Sequence, residues 1–365
     1  MGVKDAALLD LVATTLPDLP KQEFEVTWDN PDYEFCRIYQ KERMSVDGGT
    51  QLERKVMLDH TGNARYRTMY DTDEPKVGQV MHTITVPWTQ LSTSYSWDKL
   101  EILRNKDSGK GFVDLLTTRR VDGLWSLAEL IEERSWLTPT SATDNLYPYG
   151  VPYYLSFYTD TSGTVNTSAG AFNGMAVRFQ DGTYSYTCAG IDSSTEDKWR
   201  NYCSLYTNVD AALLKNFRKA FLLTRFKAPL FITDPASNKV SAAKRIYTDA
   251  DTSVALQDLM DQKDDNHTPK ELFGGVMVAV NGAVFINRLP VVYIPQLDGV
   301  DCSPIYTVDF NKFKPFVQDG YWMEEGEPIS GGVAQHTTMT VFLDGSHNNL
   351  CTNRRGAGFV MHKAS

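Results

Sequence analysis

The chain lacks the closely spaced residue pairs from which most chemical sites are read. Its five cysteines (Cys36, Cys188, Cys203, Cys302, Cys351) are odd in number and widely scattered. That disfavours a disulfide framework or a zinc site and fits small half-buried thiols in a reducing compartment. The six histidines (His60, His82, His267, His336, His347, His362) include no His-x-x-x-His or His-Glu pair that would set two ligands on one helix face. No Gly-x-Ser-x-Gly elbow exists, and Gly109-Lys110 lacks the upstream glycine and downstream Ser/Thr of a phosphate loop. Asp71, Asp73 and Glu74 lack the alternation and distal glutamate of a calcium loop and read as a solvated turn. Adjacent acids at Glu324-Glu325 and Asp264-Asp265 point in different directions and carry no spacing for glycoside hydrolysis. No catalytic, cofactor-binding or metal residue is therefore assigned.

Long hydrophobic runs are missing too. The longest, Gly274–Val280 with Ala283–Ile286, fall well short of the ~20 residues that cross a bilayer. Met1–Leu16 carries Asp5 and Asp10 and no basic stretch followed by an apolar core, so neither a membrane span nor a secretory signal is expected. The expected site of synthesis is a cytoplasm.

What the chain does have is bulk: 365 residues, 42% hydrophobic and 22% charged, enough to bury a sizeable core. The formal net charge of −10 argues against a protein that seeks nucleic acid with its whole surface. Seven tryptophans and 18 tyrosines suit packing and interfaces.

Along the chain, residues 1–45 combine a short amphipathic piece (Ala6, Leu8, Leu9, Leu11, Val12) with Pro17, Pro20 and Pro31, an arm more than a domain. Gly48-Gly49 opens a hairpin. Residues 50–58 are charged and β-rich, residues 64–70 alternate with period two, and 79–88 read as the return strand. A ribbon polar on both faces has no core of its own and must lie on something. From Gly111 the period becomes helical, with Phe112, Leu115, Leu116, Leu124, Leu127, Leu130 and Ile131 on the apolar stripe, ending near Leu137–Pro139. Further helices are predicted over 209–226 and 253–262, and strands over 228–233, 304–310 and 314–323. A hairpin about Asn281-Gly282 and strands 337–342 and 351–362 around an Asp344–Asn349 turn complete the reading.

This order of elements resembles the major capsid proteins of tailed bacteriophages. The residues that carry the resemblance are Gly48-Gly49, Asn63, Tyr66 and Tyr70-Asp71 in the hairpin, Trp88 on its return strand, and Leu100–Asn105 before the helix. Ile191-Asp192-Ser193 with Trp199-Arg200-Asn201, Ala228–Asp234, Phe273-Gly274, Asn281-Gly282, Pro290-Val291-Val292 and Asn353-Arg354-Arg355 continue it through essentially the whole chain.

The resemblance implies an α+β fold of the type named after phage Hong Kong ninety-seven, shared with encapsulins. Residues 1–45 would be the N-terminal arm and 46–91 the extended loop. Residues 92–145 with 325–365 would be the peripheral domain holding a long spine helix, and 146–324 the axial domain. It implies a virion protein assembled in the host cytoplasm, whose hexamers and pentamers close an icosahedral shell around double-stranded DNA without sequence-specific binding. Portal and scaffolding or decoration proteins would be its partners. An acidic lining would suit release of the genome. Arg54, Lys55, Arg65, Tyr66, Arg67 and Tyr70 are the expected contacts with the next subunit. Some relatives join subunits by a lysine–asparagine isopeptide bond; Lys41 or Lys55 with Asn349 or Asn353 offers the groups, no spacing pairs them, and no crosslink is assumed. The competing readings are an encapsulin-like cellular compartment and, more remotely, a glycoside hydrolase.

Overall fold

In the computed structural model the described residues are 33–72, 77–78, 80–104, 109–225, 244–261, 276–278, 284–287, 289–331 and 335–364. The amphipathic piece at 6–12, the strand at 228–233 and the Phe273-Gly274 and Asn281-Gly282 turns lie outside them. The chain divides into two compact units. The first gathers the described parts of Met1–Gly48, Thr89–Glu133 and Val317–His347; the second gathers those of Gly49–Trp88, Arg134–Phe316 and Asn348–Ser365.

The first unit is built on two long strands. Thr89–Asp98 pairs antiparallel with Gln335–Cys351 in unbroken register from Thr89↔His347 to Asp98↔Thr338. In the first of them the alternate side chains Thr89 and Leu91 are buried, as a half-covered strand requires. The expected turn at Asp344–Asn349 is absent: those residues continue the second strand. Gly345 is accommodated because Trp322 lies across it, 3.4 Å from where a Cβ would stand.

The predicted long helix is present as Gly109–Ser135, 27 residues or ~40 Å. Among the residues of this helix whose burial is described in the first unit, the buried apolar side runs Gly123, Leu127, Ile131, joined by the buried Glu132; Leu124 and Leu130, expected on the core stripe, are more than a third exposed. Polar contacts hold much of the helix to the sheet instead. Arg119 donates to the Ser96 carbonyl at 2.6 Å and to Glu101 at 2.9 Å. Arg120 grips Glu325 through Nε at 3.1 Å and Nη2 at 2.9 Å, and Tyr95 Oη donates to the same carboxylate. That guanidinium holds the Glu325 carboxyl below its ordinary value.

A shorter helix, Glu34–Glu42, packs on the long one. No side chain of its own caps it. The buried Glu132 carboxylate accepts the Phe35 N–H at 2.7 Å instead, satisfying one of the four donors any helix start leaves open. Beside it the buried Tyr39 and His347 and the half-buried Trp322 form a ring cluster with centroids 5.2–5.5 Å apart.

The second unit is a mixed eight-stranded sheet. Its spatial order is 276–278, 284–286, 289–293, 244–248, 305–309, 358–362, 201–205, 171–174. The pairs 201–205/358–362 and 244–248/289–293 are parallel. The strands 276–278 and 284–286 form the antiparallel pair expected around Asn281-Gly282. Strands 305–309 and 358–362 are buried at every position, as central strands covered on both faces must be.

Helices Ala211–Leu223 and Ala250–Asp261 stand close to the predicted ones. Asp210 caps the former, accepting from Ala212 N at 2.9 Å and Leu213 N at 3.1 Å. Its stripe Leu213, Phe217, Ala220, Phe221 is buried with Tyr202, Ile246, Leu256, Leu289 and Met361, and Phe217 and Phe221 set their rings edge-on to Phe359. The closing strand, expected with the lobe of the long helix, thus pairs with 201–205 and 305–309 in the second unit. Among the described residues no helix is long and apolar enough to cross a membrane.

Candidate assembly surface

The hairpin is present as Gln51–Met57 paired antiparallel with Met81–Pro87 over seven positions, prolonged by Leu58 N to Val80 O at 3.3 Å. Gly48 and Gly49, which precede it, both take positive φ (65° and 96°), the backbone that their sequence position demanded. The alternating run at 64–70, by contrast, forms no strand.

The root of the ribbon rests on its own unit. Leu52, Ile84 and Val86 are buried, and Thr85 N donates to the Ala189 carbonyl at 3.0 Å. Gly190 makes this seating fit: at φ 83°, a Cβ there would fall 2.5 Å from Thr85 Oγ1. Two polar pairs flank the seat, the His82–Glu196 contact at 3.5 Å and the Lys198–Asp59 ion pair at 3.0 Å. Such half-exposed pairs are worth ~0–1 kcal/mol each, so apolar burial of Leu52, Ile84 and Val86 supplies most of the anchoring.

Beyond the root the ribbon leaves the body. Every residue from Asp59 to Thr72 is exposed, with Tyr66, Met69 and Tyr70 at 106%, 82% and 96% of their full accessible area, and Met57 and Val77 are bare beside them. The six predicted contact residues fall on this feature. Arg54 and Lys55 are exposed on the outgoing strand; Arg65, Tyr66, Arg67 and Tyr70 lie in the apex. Arg65 reaches back to the Thr72 carbonyl and Asp71 N bonds Thr68 O at 3.3 Å, so the apex has some internal order. Bare aromatics, a thioether and cations in one loop make a surface suited to association. The apolar members Met57, Met69 and Val77 were not singled out from sequence.

A second arrangement shapes the body beneath. Arg354, fully buried, sends Nε to the Tyr154 carbonyl (2.6 Å) and Nη1 to Ser193 Oγ (2.7 Å), Trp199 O (3.2 Å) and Met175 O (3.3 Å). The neighbouring Ile191–Ser193 and Trp199–Asn201 segments and the distant Asn353–Arg355 meet through this one guanidinium. Asn353-Arg354-Arg355 was expected as strand; it begins a one-turn helix, Arg354–Ala357, capped by the Asn353 side chain on Gly356 N at 3.1 Å. Asn349 is buried with its amide donating to Tyr149 O at 3.0 Å, while Lys55 stands on the exposed ribbon.

No family model matches the sequence, and no curated protein matches it. Solved structures do. The capsid asymmetric unit of cyanophage A-1(L) superposes with a TM-score of 0.56 at 16% identity, over 89% of this chain and 92% of that one. The capsid of Myoviridae phage XM1 matches over 100% and 99% at 11% identity and TM-score 0.46, and the capsid of the native GTA particle over 90% and 90% at 12% and 0.46. The fold assignment rests on the first of these, together with the rooted hairpin, the long helix and the mixed sheet. The chain is an α+β protein with the capsid fold of the tailed phages.

Proposed function

We propose that the chain is a major capsid protein, a structural subunit and not an enzyme, whose copies form hexamers and pentamers of an icosahedral shell enclosing double-stranded phage DNA. The observation that carries this reading is the hairpin: a root fixed on its own body and an apex of aromatic, apolar and cationic side chains that stand exposed among the described residues. A surface of that kind costs solubility in a monomer and gains contacts in an array. Residues 1–45 serve as the arm, 46–91 as the extended loop, 92–145 with 325–365 as the peripheral domain, less the closing strand 358–362 that pairs into the other sheet, and 146–324 as the axial domain. Arg54, Lys55, Arg65, Tyr66, Arg67 and Tyr70 meet the adjoining copy, where weak pairs gain strength by repetition over the lattice. The virion is the destination, with portal and scaffolding or decoration proteins as further partners.

Replacing residues 59–79 by a two-residue Asn-Gly turn tests this. Soluble, folded subunits that form no closed particles in electron micrographs are the expected result; intact shells from the shortened chain overturn it. Nuclease-protected DNA in particles of the full chain separates a phage shell from a cellular compartment filled with protein cargo.

A further inference from the structure

A cavity of about 280 Å³ lies wholly within the second unit and shares no residue with the hairpin. Its floor is apolar and buried. The Trp136 and Tyr306 rings stand 6.4 Å apart there, with Leu155, Phe179 and Leu297 around them.

Backbone bonds hold the walls in place. Gln180 N and Asp181 N donate to the Pro139 and Thr140 carbonyls at 3.2 and 3.0 Å, which ties the stretch after the long helix to the small 177–185 hairpin. On the other side Leu297 N bonds Ile294 O at 3.1 Å and Val300 N bonds Leu297 O at 3.3 Å, fixing the loop that leads to Asp301. A cavity lined in this way is preformed. Its volume sits at the small end of the roughly 300–1,000 Å³ typical of ligand sites, room for one ring system and not for a stretch of chain.

The mouth is polar. Arg178 and Asp301, with side chains 43% and 75% exposed, approach to 3.4 Å, and Arg178 also donates to Tyr158 Oη at 3.0 Å. Both bonds use Nη1, so the Nε and Nη2 hydrogens and one Asp301 oxygen have no partner among the described residues. Opposite charges side by side discriminate by charge type. A simple anion or cation gains one attraction and meets one like charge, whereas a zwitterion gains both attractions.

We propose that this cavity binds a free aromatic α-amino acid, its ring on the Trp136–Tyr306 floor, its carboxylate on the Arg178 guanidinium and its ammonium on Asp301. The site belongs to the isolated subunit, whatever that subunit assembles into.

Calorimetric titration of unassembled subunits of the full chain with L-tryptophan tests this. Saturable binding of one molecule per chain is expected. Tryptamine, which lacks the carboxylate, and indole-3-propionate, which lacks the ammonium, should each bind roughly tenfold more weakly, the loss of one charge-assisted contact at an open mouth. Arg178→Gln should erase the difference between tryptophan and tryptamine, and Asp301→Asn that between tryptophan and indole-3-propionate. No saturable heat with millimolar tryptophan overturns the proposal, and so does equal binding of the three compounds to the unaltered chain, which would mark a cavity that selects only for an apolar ring. Amide exchange gives the location: bound tryptophan should slow it at 178–181 and 297–301, and protection confined to other segments also refutes the assignment.

Discussion

Replacing Arg354 by methionine should destabilise the second unit nearly as much as replacing it by alanine, although methionine fills most of the space. Three donor hydrogens, one on Nε and two on Nη1, serve four acceptors drawn from the 154, 175, 193 and 199 segments. No carboxylate of the described residues lies within ion-pairing distance of this guanidinium, so the carbonyl dipoles and the Ser193 hydroxyl solvate the charge. Charge-assisted bonds contribute roughly 1.5–3 kcal/mol each, and the desolvation of the cation, recovered when it is removed, offsets part of their sum. Three backbone carbonyls left buried without donors hold the net loss near ~4 kcal/mol, in the range seen when a buried polar network loses one member. For a unit of this size that corresponds to a melting shift of roughly 8–16 °C. Differential scanning calorimetry of unassembled subunits reads it. A methionine variant melting within ~3 °C of the parent, with only the alanine variant impaired, would mean that the side chain acts by filling volume, and the argument from its hydrogen bonds would be wrong.

Two further outcomes follow from the same packing logic. Burial pushes the pKa of His347 down from 6.5 to about 4, so the unfolded chain takes up a proton that the folded chain refuses. The neutral ring's contribution, ~3 kcal/mol, is full above pH 6.5 and drains away as pH falls toward 4. Urea midpoints at pH 7 and pH 4.5 should therefore converge in His347→Phe relative to the parent, and parallel curves would refute the assignment. Gly190→Val should drive a side chain into Thr85 and lift the hairpin root, speeding amide exchange at Thr85 and along 81–87 while the 305–309 strand keeps its protection. Unaltered exchange at Thr85 would show that the seat tolerates the bulk.

The sequence revealed the hairpin strands, the three longer helices and most strands of the mixed sheet, because each carries its own periodicity. It misled where local composition and environment part company. Asp344-Gly345-Ser346 reads as a turn, yet the segment runs straight on as strand, with Gly345 fitted under Trp322 and the Asn348 amide bonding Tyr149 N and Pro87 O. Leu124 and Leu130 have the right spacing for a core stripe but stand partly exposed, since arginines and Gly123 bring much of the helix to the sheet. The alternation at 64–70 has a strand's period but belongs to none of the described strands. The contact candidates Tyr66 and Tyr70 were visible as aromatics in a polar ribbon, whereas Met69 and Val77 are distinguished only by their exposure. The role of Arg354 left no trace in the sequence beyond its place in a short Arg-Arg-Gly run, because a long cationic side chain is ordinarily assigned to solvent.

The seated root of the hairpin also sets the economics of association. A ribbon loose along its whole length would have to give up the freedom of some forty residues before it could grip anything. Here the strands are already aimed, so the paired residues 51–57 and 81–87 have little freedom left to lose. In the proposed shell each contact could then be feeble and readily reversed, so that a misplaced copy would come away and try again before a closed array locked it in.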